Sequence, residues 1–139
     1  MRVCDGLSTL EEVGAIGALT QCLVEEASAP STRAARSDHA PWHVQENKWR
    51  AARYGLDAII ILDAAGHEQL VTEHLAETLD RLEPIARDLR CESELRDIEG
   101  ILRRGAGYQR QRRTAERHGG DLRAVVLEEA RLMRQGHPA

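Results

Sequence analysis

Asp57-Ala58-Ile59-Ile60-Ile61-Leu62-Asp63 is the stretch on which the fold turns. Three successive isoleucines between aspartates read as a short buried strand, because β-branched side chains suit a pleated surface and a continuous apolar run wants cover on both faces. Only one other segment, Arg2-Val3-Cys4-Asp5, has strand character. Two strands alone do not make a stable sheet, and an exposed edge invites another chain to pair with it. The first of them also begins directly after Met1. The sheet is therefore expected to be completed by another polypeptide or by a second copy of this one. Sedimentation of the purified chain tests this: a well-folded monomer at micromolar concentration would count against it.

Outward from that strand the sequence is helical. Leu, Ala, Arg and Glu dominate the 139 residues, aromatics reach 3%, and Phe is absent, which disfavours an all-β core. Thr9-Leu10-Glu11-Glu12 reads as a capping box opening a helix to about Ala27, with Val13, Ile16, Thr20, Leu23 and Ala27 on one face. Gly14, Gly17 and Ala18 leave another face thin enough for close packing. Ser28 to Ala40 reads as a loop. Pro41 then opens a second helix that Gly55 stops. Ala64-Ala65-Gly66 turns the chain, and Val71, Leu75, Thr78, Leu79 and Leu82 mark a third helix, which Pro84 is expected to break or kink. Ser93 is expected to cap a fourth helix with Leu95, Ile98, Ile101 and Leu102 as its stripe. A fifth spans about Tyr108 to His118; Asp121 caps a sixth, with Leu122, Val125, Val126 and Met133 facing inward. The expectation is a single α+β domain over 1–139, mostly helical, with about six helices and two strands.

Charge and cysteine usage narrow the function. Nineteen basic residues against 23 acidic give a net charge of −4, which argues against a dedicated nucleic-acid binder. Lys48 is the only lysine; the rest are arginines, whose planar fork grips carboxylate and phosphate, although a GC-rich genome also favours Arg over Lys. Cys4, Cys22 and Cys91 form neither a disulfide framework nor a zinc site. With no leader-like opening and no apolar run beyond Ala58–Leu62, a cytoplasmic chain with reduced thiols and no membrane partner is expected.

The densest polar cluster is Glu46-Asn47-Lys48-Trp49-Arg50-Ala51-Ala52-Arg53-Tyr54-Gly55. On a helix Glu46, Arg50 and Arg53 fall on one stripe beside Trp49. Two guanidiniums a turn apart can bind phosphate or carboxylate; alternatively Glu46–Arg50 is an ordinary i,i+4 ion pair worth ~0.3–0.5 kcal/mol. A second cluster, Arg103 to Arg117, holds six arginines against Glu116 and reads as a helix holding phosphates or a nucleic-acid backbone, or as a solvated face. Gly105-Ala106-Gly107 starts a GxGxxG that fails at Arg110 and follows a helix, so the dinucleotide fingerprint does not apply. His39 and His43 find no further ligand set for a metal. The serines Ser8, Ser28, Ser31 and Ser37 lie in no GxSxG elbow.

ENKWRAARYG at 46–55, the opening RVCD at 2–5 followed by a capped helix, and GAGYQRQR at 105–112 together resemble the C-terminal part of the glutamate–cysteine ligase type 2 family, bacterial carboxylate–amine ligases. That resemblance implies a glutamine-synthetase-like curved antiparallel sheet backed by helices. It also implies ATP- and magnesium-dependent activation of a glutamate-like carboxylate as an acyl phosphate, which an amine attacks to give an amide. By motif position it implies that Arg50 and Arg53 are catalytic, gripping transferring phosphate or substrate carboxylate, while Asn47 hydrogen-bonds substrate or steadies an arginine. Arg2 would bind an anionic substrate or phosphate, and Gln111 and Arg112 would close the nucleotide end. The family's metal-binding glutamate ahead of RVCD has no counterpart here, and no compact carboxylate set suits magnesium. ATP and Mg2+ are therefore expected to be held mainly by a partner chain resembling the family's N-terminal half, with the isolated chain inactive. The alternative is a non-catalytic remnant, or a regulatory partner that self-associates or docks on a ligase.

Overall fold

A computed structural model describes residues 7–29 and 39–137. The expected strand at 2–5, with Arg2 and Cys4, lies outside them. In chain order the elements are α1 (Leu10–Ser28), α2 (Pro41–Tyr54), a 3-10 turn (Gly55–Asp57), β1 (Ile59–Ile61), β2 (Glu68–Leu70), α3 (Val71–Leu89), α4 (Glu92–Arg104), α5 (Gly107–Arg117) and α6 (Leu122–Gln135). The described chain is mostly helical, as expected, with a two-stranded antiparallel sheet. It divides into two compact units: residues 1–20 with 91–139, and residues 21–90.

In the unit formed by residues 21–90, the triple isoleucine is β1, as the sequence indicates, and its neighbour among the described residues is a strand the sequence did not indicate. β1 pairs with β2 in the register Ile59↔Leu70, Ile60↔Gln69 and Ile61↔Glu68. The partner escaped the sequence reading because Glu68-Gln69-Leu70 is too short and too polar to show β periodicity. A local turn makes the hairpin. The Asp63 carboxylate accepts from the backbone N–H of Ala65 (2.9 Å) and of His67 (3.2 Å), and Gly66 takes φ +84°, which a side chain would resist. Ile61 is 5% exposed but Ile59 is 47% exposed, so this strand is covered unevenly.

The Asp63 carboxylate also meets His67 Nδ1 at 2.5 Å. That contact raises the His67 imidazole above its ordinary value and lowers Asp63, through the hydrogen bond first and the charge attraction after it. Because His67 is raised, its contribution is complete below about pH 6.5 and disappears as pH rises through its folded value; Asp63, being lowered, contributes above about pH 4 and loses this as pH falls. The turn is thus expected to be tightest in mildly acidic solution. NMR titration of His67 should give a pKa above that of a free histidine, and His67→Gln should remove the extra protection of the Ala65 amide in mildly acidic solution, measured relative to its intrinsic exchange rate. An unshifted His67 would refute it.

Pro84 does not break the helix: α3 runs through it from Val71 to Leu89. Pro84 lies on the exposed face, where water can serve the carbonyl it leaves free, while Leu82 and Ala86 on the other side are fully buried. The close of α3 is Arg90, in the left-handed region at φ 58°.

In the other unit, Thr9 caps α1 as expected, accepting from the Glu12 N–H at 3.2 Å. The reciprocal half of the capping box does not form, because the Glu12 carboxylate is taken by Arg110 at 2.6 Å. The buried stripe of α1 is also displaced from the expected one. Ala15, Ala18 and, in the other unit, Cys22 are buried, whereas Val13 is 50% and Leu23 39% exposed. The packed stripe carries alanines, whose small side chains allow close approach, but it is not the expected Gly14–Gly17–Ala18 face, since Gly17 is exposed. α4 buries Leu95 and Ile98 as expected, but starts at Glu92; Ser93 is inside it, donating to Glu94 instead of capping. Asp121 does cap α6, accepting from the Arg123 N–H at 2.8 Å. Leu122, Val126 and Met133 of α6 do not face inward: they are 72%, 66% and 50% exposed, and Leu132 is the buried position. A period-3.6 pattern locates an apolar stripe, but α6 carries apolar residues on more than one side, so periodicity alone chose the wrong one.

Candidate functional site

Residues 46–55 form the last two-thirds of α2, packed on β1. Pro41 sits in the first turn, and buried His43 reaches back so that Nδ1 accepts from the Ala40 N–H at 3.3 Å. His43 is therefore a helix-start residue, not a metal ligand. Gly55 ends α2 with φ 58°.

The polar face of α2 is fastened to the hairpin. Asn47 Nδ2 donates to the Ile61 carbonyl and Asn47 Oδ1 accepts from the Ile61 N–H, both at 2.8 Å. One side-chain amide thus replaces a neighbouring strand at Ile61. Arg50 donates from Nε to Glu46 at 2.9 Å, and from its terminal nitrogen to the Ile59 carbonyl at 3.0 Å and Glu68 at 2.6 Å. The Glu46–Arg50 i,i+4 pair is real, and Glu68 adds a second carboxylate. Together they hold the Arg50 guanidinium above its ordinary value, Glu46 first. Arg53, in the last turn, is exposed and makes no ion pair with any described residue.

Beside them lies a cleft of about 400 Å³, lined by Glu46, Trp49, Arg50, Tyr54, Asp57, Ile59 and Glu68; neither Asn47 nor Arg53 lines it. Trp49 and Tyr54 meet edge to face at 5.8 Å. Three carboxylates face one guanidinium, a net charge of −2. Asp57 and Glu68 were missed from sequence: Asp57 borders the isoleucine run, whereas Glu68 lies in β2, for which the sequence carried no signal. In the other unit, Arg112 stacks on the Tyr108 ring at 5.3 Å and Gln111 is exposed. Arg110, the misfit in the glycine motif, bonds the Gly105 carbonyl at 2.7 Å. Among the described residues no group of three or more His, Cys, Asp or Glu is placed to hold a metal ion. No described helix is long and apolar enough to cross a membrane.

ENKWRAARYG and the strand that follows it thus form one helix-and-hairpin unit. The chain belongs to the glutamate–cysteine ligase family 2 (GCS2), whose family model matches residues 1–128. It is 67% identical over 140 residues to an Arthrobacter sp. protein named "Putative glutamate--cysteine ligase 2-1", covering 100% of this chain and 37% of that protein. It is 56% identical over 127 residues to the Mycobacterium tuberculosis "Putative glutamate--cysteine ligase 2", covering 91% of this chain and 34% of that protein. The chain thus spans little more than a third of the length of these relatives. No solved structure matches it.

Proposed function

We propose that this chain is the C-terminal portion of an ATP-dependent carboxylate–amine ligase, and that a partner chain supplies the carboxylates for metal and nucleotide. The observation that carries the reading is the family match over residues 1–128, which includes the whole α2–hairpin unit. ATP would supply an acyl phosphate on a glutamate-like acid. When the amine attacks, the C–N bond forms, the C–O bond to phosphate breaks, and phosphate leaves with the electron pair.

The charge of the 400 Å³ cleft suits the amine better than the acid. An ammonium finds Glu46, Asp57 and Glu68 for its charge and the Trp49 face for cation–π contact. A carboxylate there can also take the proton the amine must lose. Arg50, engaged by two carboxylates, acts by locking Glu46 and Glu68 in place. Arg53 is the guanidinium left free for the phosphate or acid. Arg2, Gln111 and Arg112 keep the substrate and nucleotide roles that motif position gives them. Magnesium finds no ligand set among the described residues.

Coexpression with a chain matching the remainder of the GCS2 ligases is the test. Carboxylate- and amine-dependent ATP hydrolysis is expected only with both chains. Arg53→Ala should lower kcat/KM by ~10²–10³-fold, the usual cost of one charge-stabilising group. Failure to form a complex, or activity indifferent to Arg53→Ala, defeats the proposal. A second reading, a non-catalytic or regulatory partner of a ligase, is favoured by the internal neutralisation of Arg50. It predicts complex formation without any effect of Arg53→Ala on turnover.

A further inference from the structure

α5 and α6, antiparallel neighbours joined by a turn through Gly119 and Gly120, enclose a second cleft of about 410 Å³. Arg117 and His118 reach it from the end of α5, and Arg131 and Arg134 from α6; Glu128 is its sole carboxylate. Three guanidiniums against one carboxylate leave a charge of +2 before His118 is protonated. This is the opposite sign to the cleft beside α2, in a protein whose overall charge is −4.

The partners of these cations are informative. Arg131 is spent on Glu128, at 2.6 and 2.8 Å. Arg117 meets no carboxylate: it donates to the Thr114 hydroxyl at 3.0 Å and to the Arg113 carbonyl at 3.4 Å. Arg134 is exposed and makes no hydrogen bond or ion pair with any described residue. His118 Nδ1 lies 2.9 Å from the Thr114 carbonyl, which only accepts, so that nitrogen carries the proton and the ring is fixed. Glu128 is held below the usual carboxylate range by Arg131 first, with Arg117 and His118 adding to the field. Cations at helix C-termini complement the macrodipole, which accounts for Arg117 and Arg134 one at a time. It does not account for their convergence from two helices on one cavity with a single counter-charge. Ala124 and Leu127 give that cavity an apolar wall, which strengthens charge interactions beside it.

We propose that the α5–α6 cleft is an anion site for a phosphate-bearing small molecule, with Arg117 and Arg134 as its principal ligands, Arg131 oriented by Glu128 as a third, and His118 as a fixed fourth. The fork of a guanidinium matches two phosphate oxygens, and two such forks from facing helices suit a multiply charged phosphate over a single carboxylate. The site stands apart from the chemistry proposed for the α2 cleft and does not depend on it.

Inorganic phosphate and ADP, each titrated into the full chain at constant ionic strength, are the probes, read by two-dimensional NMR of the α5 and α6 amides. Saturable shifts centred on residues 114–134 are expected, with Arg134→Gln weakening them at least tenfold and Arg134→Lys less. Arg134 is exposed and has no partner among the described residues, so its loss leaves the fold intact, which circular dichroism verifies. ADP binding tighter than phosphate identifies a nucleotide; equal binding identifies phosphate itself. Shifts that scale with chloride as well as with phosphate, binding unaltered by Arg134→Gln and by Arg117→Gln, or saturation by RNA but by neither small probe would each overturn it.

Discussion

Asn47→Ala is expected to destabilise the α2–hairpin unit by about 2–3 kcal/mol, far more than its half-buried surface position suggests. The side chain makes two bonds to one residue, donating to the Ile61 carbonyl and accepting from the Ile61 N–H. Ile61 is 5% exposed, so truncation leaves a backbone donor and acceptor without partners where water reaches poorly. The cost is therefore that of two orphaned groups as well as two lost bonds. Asn47→Asp keeps the shape but turns the donor into an acceptor facing a carbonyl, and should be no better than alanine. Chemical denaturation checks the magnitude, and amide exchange checks the location: Ile61 N–H protection should collapse while Leu95 and Ile98 stay protected. An Asn47→Ala protein as stable as the parent would mean that water replaces the amide readily, and the strand-surrogate role would fall.

That role explains what could and could not be seen in the sequence. The triple isoleucine and the helix ahead of it were legible because β-branching, Pro41 and Gly55 act within a few residues. The ENKWRAARYG motif was legible as a polar cluster, and its resemblance pointed to the right family. The use of its residues was not legible, because it depends on β2. A three-residue strand carries no periodic signal, so nothing announced that Glu68 would lie 2.6 Å from Arg50 and neutralise it. Read alone, Arg50 is either an anion grip or the i,i+4 partner of Glu46; in place it makes that pair and also ties the helix to the hairpin through Glu68 and the Ile59 carbonyl. The faces of α1 and α6 failed for a related reason. Val13 and Val126 are apolar in the right rhythm, yet the stripes that pack contain Ala15 and Ala18 in one helix and Leu132 in the other. Periodicity ranks faces by hydrophobicity, whereas close packing rewards shape.

Glu12→Gln should cost about 3–5 kcal/mol, the largest effect expected from any single change here. Glu12 and Arg110 meet at 2.6 Å with side chains 3% and 12% exposed. Removing one partner strands the other's charge away from water, and the Arg110 bond to the Gly105 carbonyl cannot compensate for it. The pair also explains why the glycine motif ends in arginine: Arg110 ties the start of α5 to the start of α1, and so sets where the neighbouring Gln111 and Arg112 stand. By contrast, Arg103→Ala, which breaks an exposed pair with Glu99 at 3.3 Å, should cost less than about 0.5 kcal/mol. The double replacement Glu12→Met with Arg110→Met distinguishes a buried charge from a lost contact. Two thioether side chains need no partner, so most of the stability should return, and a double-mutant cycle should report strong coupling. If Glu12→Gln costs no more than Arg103→Ala, the pair is solvated after all. In that event Arg110 does not fix where Gln111 and Arg112 stand on α5.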